Sequence, residues 1–269
     1  MYELTAEQVA HFQEKGVVFL PGVFADWVAP LREAVQQALD APSPLERSYQ
    51  PNDGSAPFFQ DYCNWQRFAP LHDYVFSSEA GRVAAGLMRS RTARFFHDHI
   101  LVKRPGTSLV TPWHQDLPYY CVQGQQSVSF WTPLDPVARE VSLECVAGSH
   151  RWSEAGYRPK RFDGSNLYQQ DDYAEMPNID ANREAFDILG YTLQPGDAIA
   201  FDFRTIHGAP GNQSSTTRRV VSTRWVGDDA RWAGLIDGVE TVWNLFGHAV
   251  NSPRRFVNVP EPPEHSRSV

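Results

Sequence analysis

The chain has 269 residues, 42 % of them hydrophobic, and a net charge of −8. This is enough apolar material for a sizeable buried core, while an acidic chain without a basic block is ill suited to nucleic acid or to an anionic membrane. Three widely spaced cysteines, Cys63, Cys121 and Cys145, argue against a disulfide framework; with no signal-peptide pattern and no run near the roughly 18 apolar residues of a membrane span, they lead us to expect a cytoplasmic protein.

In chain order, LTAEQVAHFQEKG pairs Thr5 with Gln8 in a capping box and closes at Gly16, which predicts a short helix. VVFLPGVF reads as a strand running into a Pro21-Gly22 turn. In ADWVAPLREAVQQALD, residues Trp27, Leu31, Val35 and Leu39 recur at helical spacing, with Pro30 near the first turn. Residues 41–57 are rich in Pro, Ser and Asp and form a loop, a candidate lid flanked by Asp61, Asn64 and Arg67. His72 in PLHDYVF falls in a turn. SSEAGRVAAGLMRS predicts an amphipathic helix capped by Ser77 or Ser78. After residue 93 short β-type runs follow one another: ARFFHDHILVK, SVSFWTPL, VSLECVAG, FDILGYTL, DAIAFDF and RRVVSTRW. A polar stretch over 148–184 interrupts them and is long enough to be functional. The expected architecture is one domain over 1–269, mainly β with flanking helices. Residues 1–92 are mainly helical, and 93–230 form a sandwich or barrel carrying the 148–184 insertion.

TPWHQDLPYY, residues 111–120, places His114 and Asp116 two apart. On a strand such residues share a face, so the two side chains converge while Gln115 points away. With a third ligand they make a facial triad of two histidines and a carboxylate. That set leaves three positions of an octahedral metal open, as in non-haem Fe(II) oxygenases. Taken alone, the pair reads more simply as two hydrogen-bonded polar residues at a strand end. Most other histidines have plain settings: His11 in the first helix, His150 in a loop, His265 in a polar tail; His248 has no assigned role. His207 differs, because DAIAFDFRTIHGAPGN is a β-run that breaks into a Gly-Ala-Pro-Gly turn beside it, at the mouth of a sandwich. Arg218 then opens RRVVSTRW and offers a guanidinium fork suited to a carboxylate. Arg218 and Arg219 are neighbours on a strand, so at most one enters the barrel.

HDHILVKRPG, PWHQDLPYY, SVSFWTPLD, VAGSHRW and IHGAPGN…RR occur in this order. The set resembles the phytanoyl-CoA dioxygenase (PhyH) family over about residues 5–230, most closely from 95 to 220. The resemblance implies a double-stranded β-helix (jelly-roll) core and Fe(II)- and 2-oxoglutarate-dependent oxygenase chemistry, with ascorbate as reductant in vitro. It implies that His114, Asp116 and His207 bind the metal, that Arg218 pairs with the distal carboxylate of 2-oxoglutarate, and that Trp131 contacts the cofactor. Ser129, two residues earlier on the same face, is expected to reach the cofactor too. His99 stands where some relatives use Met or an amide-bearing residue beside the cofactor; it reads equally as a satisfied core histidine. Many relatives carry Ser two residues after the distal histidine. This chain has Ala209 there, so one cofactor hydrogen bond is missing or replaced.

Trp113, Tyr119 and Tyr120 are candidates for the substrate entrance, or for core filling. Arg204 and Arg224 are candidates for meeting an anionic substrate, or for the surface. Lys103 and Arg104, beside a Pro-Gly turn, are expected in solvent. The implied reaction is hydroxylation of a small, polar metabolite with dioxygen, releasing succinate and CO2. Asp116 disfavours halogenation, since related halogenases lack that carboxylate. Desaturation, epoxidation or ring closure would need the same cofactors, and a cupin-like binding protein without turnover would use the same sandwich. Neither nucleic acid nor membrane is an expected partner.

Overall fold

Helix α1 (Ala6–Lys15) is built as its sequence requires. The Thr5 side chain accepts from the Gln8 backbone, the Gln8 side chain accepts from the Thr5 backbone, and Gly16 ends the helix in the left-handed region. The computed structural model describes residues 2–153, 156–160, 165–167 and 173–233 and one short strand at Val257–Asn258. Parts of the 148–184 insertion, together with His248 and His265, lie outside the described residues. After strand β1 (Val17–Leu20) comes α2 (Val28–Asp40), which buries Leu31, Ala34, Val35 and Ala38 along one stripe.

Of two further helices, α3 (Ala69–Ser77) was not anticipated, and α4 (Ala80–Met88) lies where a helix was expected but is capped differently. His72, expected in a turn, lies inside α3, which starts with Pro70 in its first turn. Neither Ser77 nor Ser78 caps α4 in the usual way. Ser77 is spent as the last residue of α3, Glu79 holds the cap position without a side-chain bond, and Ser78 Oγ accepts from Ala80 N at 3.2 Å. Among the described residues no helix is long and apolar enough to cross a membrane, and the three cysteines are free.

The remaining strands are β2 (Phe58–Tyr62), β3 (Arg94–Lys103), β4 (Thr111–His114), β5 (Val122–Gln123), β6 (Ser127–Pro133), β7 (Glu144–Val146), β8 (Ile188–Leu189), β9 (Ala198–Phe201), β10 (His207–Ala209), β11 (Arg218–Val226), β12 (Arg231–Trp232) and β13 (Val257–Asn258). A seven-stranded sheet runs β1-β9-β6-β11-β3-β13, with β2 also on β3. A four-stranded sheet runs β4-β10-β7-β8, and β5 pairs with β12. The pairings are antiparallel, and the two larger sheets face one another as a jelly roll. β2 was not anticipated, and FDILGYTL shrinks to the two residues of β8.

Alternation along β11 divides the large sheet into two faces. Val221 and Trp225, with Phe130, Ile100 and Val102, turn outward into the main core beneath α2, α3 and α4. The other face carries the site. β11 pairs Arg218 with Lys103, Val220 with Leu101, Ser222 with His99 and Arg224 with His97. β6 adds Trp131 beside Ser222 and Ser129 beside Arg224, and β2 adds Phe58, Gln60 and Tyr62 beside Lys103, Leu101 and His99.

Candidate active site

Strand register puts the two histidines side by side. His207, the first residue of β10, pairs directly with His114, the last residue of β4. Directly opposed residues on antiparallel strands project to the same face, and the two imidazole centroids lie 4.2 Å apart. Asp116 joins them by a route different from the parity argument. β4 ends at His114, and Asp116 has helical backbone angles at the head of a short turn over Leu117–Tyr119. The Phe203 carbonyl pins that bend, accepting from Asp116 N at 2.8 Å and Leu117 N at 3.0 Å. Gln115 does point away, donating to Arg204 O and accepting from Tyr157 N.

Asp116 Oδ1 lies 3.8 Å from His114 Nε2 and 3.8 Å from His207 Nε2, and the three ligand atoms all fall within 4.8 Å of one another. These distances are too long for direct hydrogen bonds, so the reading of a mere hydrogen-bonded pair does not hold. The second nitrogen of each ring has a carbonyl partner, His114 Nδ1 with Pro112 O at 2.7 Å and His207 Nδ1 with Thr205 O at 2.9 Å. A carbonyl only accepts, so Nδ1 carries the proton in both rings and Nε2 keeps its lone pair. Burial lowers both imidazoles, His207 to about 3, so both are neutral at pH 7. Burial alone would raise the Asp116 carboxyl, but the Arg224 guanidinium, helped by the Ser129 hydroxyl, overrides it and holds the carboxyl below its ordinary value.

The other oxygen of Asp116 is held by the sheet. Ser129 Oγ donates to Oδ2 at 3.1 Å, and Arg224 Nη2 lies 3.5 Å from the same atom. Arg224 is buried and further fixed by Tyr120 Oη and Ser222 O. Ser129, expected to reach the cofactor, therefore differs in placement: it is fully buried and its hydroxyl is directed at the carboxylate.

A cavity of about 350 Å³ opens from the triad. Arg218 is buried in its wall, donates to Val141 O and lies 5.8 Å from the Trp131 ring centroid. No carboxylate of the described chain pairs with it, and burial depresses its guanidinium to about 10. Arg219 faces the other way, onto Asp135, with contacts of 2.9 Å and 2.5 Å. Trp113, Tyr119 and Tyr120 line the cavity, with Trp113 tied to Asp180 and Tyr119 to the Lys160 backbone. His99 also lines it; its ring stacks on Tyr62 at 3.8 Å, and its Nε2 has no hydrogen-bond partner among the described residues. Arg204 does not line the cavity: Asp202 grips it at 2.8 Å and 2.7 Å, and it donates to Gln125 O.

Lys103 overturns its expectation of solvent. It is 1 % exposed in the cavity wall, where its ammonium donates to Leu109 O, Pro210 O and Thr111 Oγ1. The carbonyls come from two loops that fold over it, which local sequence does not reveal. Arg47, Tyr49, Gln60, Tyr62 and Lys160 are lining residues that sequence reasoning missed. The alternation of Phe58, Gln60 and Tyr62 next to a loop was the available signal.

Among solved structures, the carbocyclase SnoK from nogalamycin biosynthesis, described as non-heme and alpha-ketoglutarate dependent, shares this fold at a TM-score of 0.70, with 22 % identity over 88 % of this chain and 89 % of that one. The epimerase SnoN in complex with Fe3+, alpha ketoglutarate and nogalamycin RO aligns at 0.66, with 18 % identity over 87 % and 91 %. EctD from S. alaskensis with 2-oxoglutarate and 5-hydroxyectoine aligns at 0.63, with 18 % identity over 83 % and 76 %. No curated protein sequence matches the chain. The family model for phytanoyl-CoA dioxygenase matches residues 12–220, more than half of the sequence, and the chain belongs to the PhyH family.

Proposed function

We propose that this protein is an Fe(II)- and 2-oxoglutarate-dependent dioxygenase that hydroxylates a small polar metabolite, with residues 1–269 working as one domain. The observation that carries the reading is the triad itself: two neutral imidazoles and one ionised carboxylate, all with ligand atoms free to converge. Nitrogen and oxygen donors in this number suit ferrous iron and leave room for exchangeable ligands. When bound, ferrous iron with 2-oxoglutarate supplies dioxygen activation coupled to decarboxylation to succinate and CO2.

The chain's own residues do the rest. Ser129 and Arg224 occupy Asp116 Oδ2 and so present Oδ1 to the metal. Arg218 receives the distal carboxylate of 2-oxoglutarate, because a buried guanidinium without a counter-ion favours an anion in a bidentate pair. Thr111 lies directly across from Ala209 and lines the same wall, so its hydroxyl substitutes for the one that Ala209 lacks. Trp131 flanks the cofactor, and His99 sits at the seam between cofactor and substrate. Trp113, Tyr119 and Tyr120 exclude water around the substrate. Fe(II), 2-oxoglutarate and ascorbate should yield succinate, faster with a true substrate present. Absence of succinate across a broad metabolite panel, in protein shown to bind Fe(II), would favour a binding protein instead.

A further inference from the structure

The cavity has two halves. The inner half is walled by β6, β10 and β11 and contains Arg218 and Trp131. The outer half is walled by β2, by Arg47 and Tyr49, by Trp113 and Tyr119, and by Lys160 and Leu167. In the oxygenase reading, on which this inference rests, 2-oxoglutarate fills the inner half and the substrate the outer. Rings of Tyr49, Phe58, Tyr62, Trp113 and Tyr119 line that outer half. Aromatic faces favour a flat partner that can stack on them.

Charge narrows the partner further. The described lining holds five cations, Arg47, Lys103, Lys160, Arg218 and Arg224, against one acid, Asp116. That imbalance runs against a chain whose net charge is −8. Three of the five are committed: Lys103 to carbonyls, Arg224 to Asp116 and Arg218 to the inner half. Arg47 and Lys160 remain. Arg47 spends only Nη1, on Pro44 O and Glu46 O, and neither residue has an ion pair among the described residues. Deeper in, Gln60 is 2 % exposed, lines the cavity, and its Nε2 has no hydrogen-bond partner among the described residues. An orphaned buried amide is costly unless a ligand satisfies it.

We propose that the outer half is a subsite for a planar anionic substrate, an aromatic or conjugated-ring carboxylate, whose ring lies among the tyrosines and whose anionic group is met by Arg47 and Lys160. Arg47 comes from one segment over the cavity and Lys160 from the other, so a bound anion would tie the two together. Gln60 offers a polar contact to a substituent on the ring.

The test uses protein loaded anaerobically with Fe(II) and saturating 2-oxoglutarate, titrated calorimetrically with cinnamate and indole-3-acetate, their amides, and the saturated analogue 3-cyclohexylpropionate. We expect the aromatic carboxylates to bind at least about tenfold more tightly than the neutral amides, the scale of one exposed charge contact or slightly more, and more tightly than the saturated acid. Arg47→Gln and Lys160→Gln should each reduce that preference while 2-oxoglutarate affinity stays unchanged, and Arg47→Lys should keep it. Equal binding of acids and amides would overturn the proposal. So would variants that keep the preference, variants that weaken 2-oxoglutarate instead, or no aromatic acid bound at millimolar concentration. The 2-oxoglutarate titration is scored separately: its failure defeats the oxygenase reading, and the selectivity among probes on metal-free protein still decides the subsite.

Discussion

Arg218 and Arg219 are adjacent in sequence and opposite in setting, so replacing each by leucine should affect different properties. Arg218 is buried without a counter-ion among the described residues, and burial brings its guanidinium down from the ordinary arginine value to about 10. That difference disfavours the charged form by about 3 kcal/mol. Arg218→Leu removes this penalty and also a hydrogen bond to Val141 O, worth about 1 kcal/mol. Ligand-free protein should then be as stable as wild type or more so, by up to about 2 kcal/mol. Its 2-oxoglutarate affinity should fall steeply, because truncating one partner of a buried charge pair costs about 2–5 kcal/mol, at least about thirtyfold in Kd. Arg219→Leu should do the reverse. It strips two side-chain contacts from the buried Asp135 carboxylate, leaving the residue 219 backbone N at 2.9 Å and Arg32 at 3.7 Å, and should lower stability by about 1–3 kcal/mol with 2-oxoglutarate affinity intact. Urea unfolding and anaerobic 2-oxoglutarate titration of the two variants measure both quantities. The reasoning fails if 2-oxoglutarate binds equally to both, or if Arg219→Leu loses more affinity than Arg218→Leu.

Removing Asp116 should abolish metal binding and activity while the fold survives. Asp116→Ala removes both the anion and the acceptor that face buried Arg224 and Ser129; Asp116→Asn loses the charge but keeps an amide oxygen for both, so it is the cleaner variant, and wild-type ferrous affinity or turnover in it would exclude the triad. The segments 41–60 and 148–184 contribute Arg47, Tyr49 and Lys160 to the cavity; limited proteolysis there should slow when Fe(II), 2-oxoglutarate and a bound substrate are present, and cleavage indifferent to them would count against a lid. Asp98 predicts a pH effect: burial raises its carboxyl from 3.8 to about 6, although Asn64 N and Trp65 N donate to it. A raised folded-state value means that its contribution is fully present below pH 4 and is lost as pH rises through 6. The unfolding free energy of wild type minus that of Asp98→Asn should therefore fall by about 2 kcal/mol between pH 4 and pH 7, and a flat difference would show that Asp98 is not desolvated as described.

Much of the site was legible because its chemistry sits in short motifs. His114, Asp116 and His207 were made candidates by strand parity and the turn after His207, and became a ligand set only through the ordered motifs that resemble the PhyH family; β alternation alone required Arg218 and Arg219 to part. The capping box at Thr5 and Gln8 was equally local, since every atom it needs lies within one helical turn. The features that local sequence missed depend on contacts between distant segments. Asp116 reaches the triad because the Phe203 carbonyl bends the chain after β4, a contact no spacing rule contains. Ser129 meets Asp116 instead of the open cavity because β6 lies beside β11 at the row of Arg224. Lys103 is buried although a Pro-Gly turn follows it, since loops carrying Leu109 and Pro210 close over its ammonium. Gln60 and Tyr62 enter the wall only because β2 pairs with β3. Exposure and strand neighbours are set by which segments the folded chain closes together, and the propensity of a segment for a strand does not encode its partner.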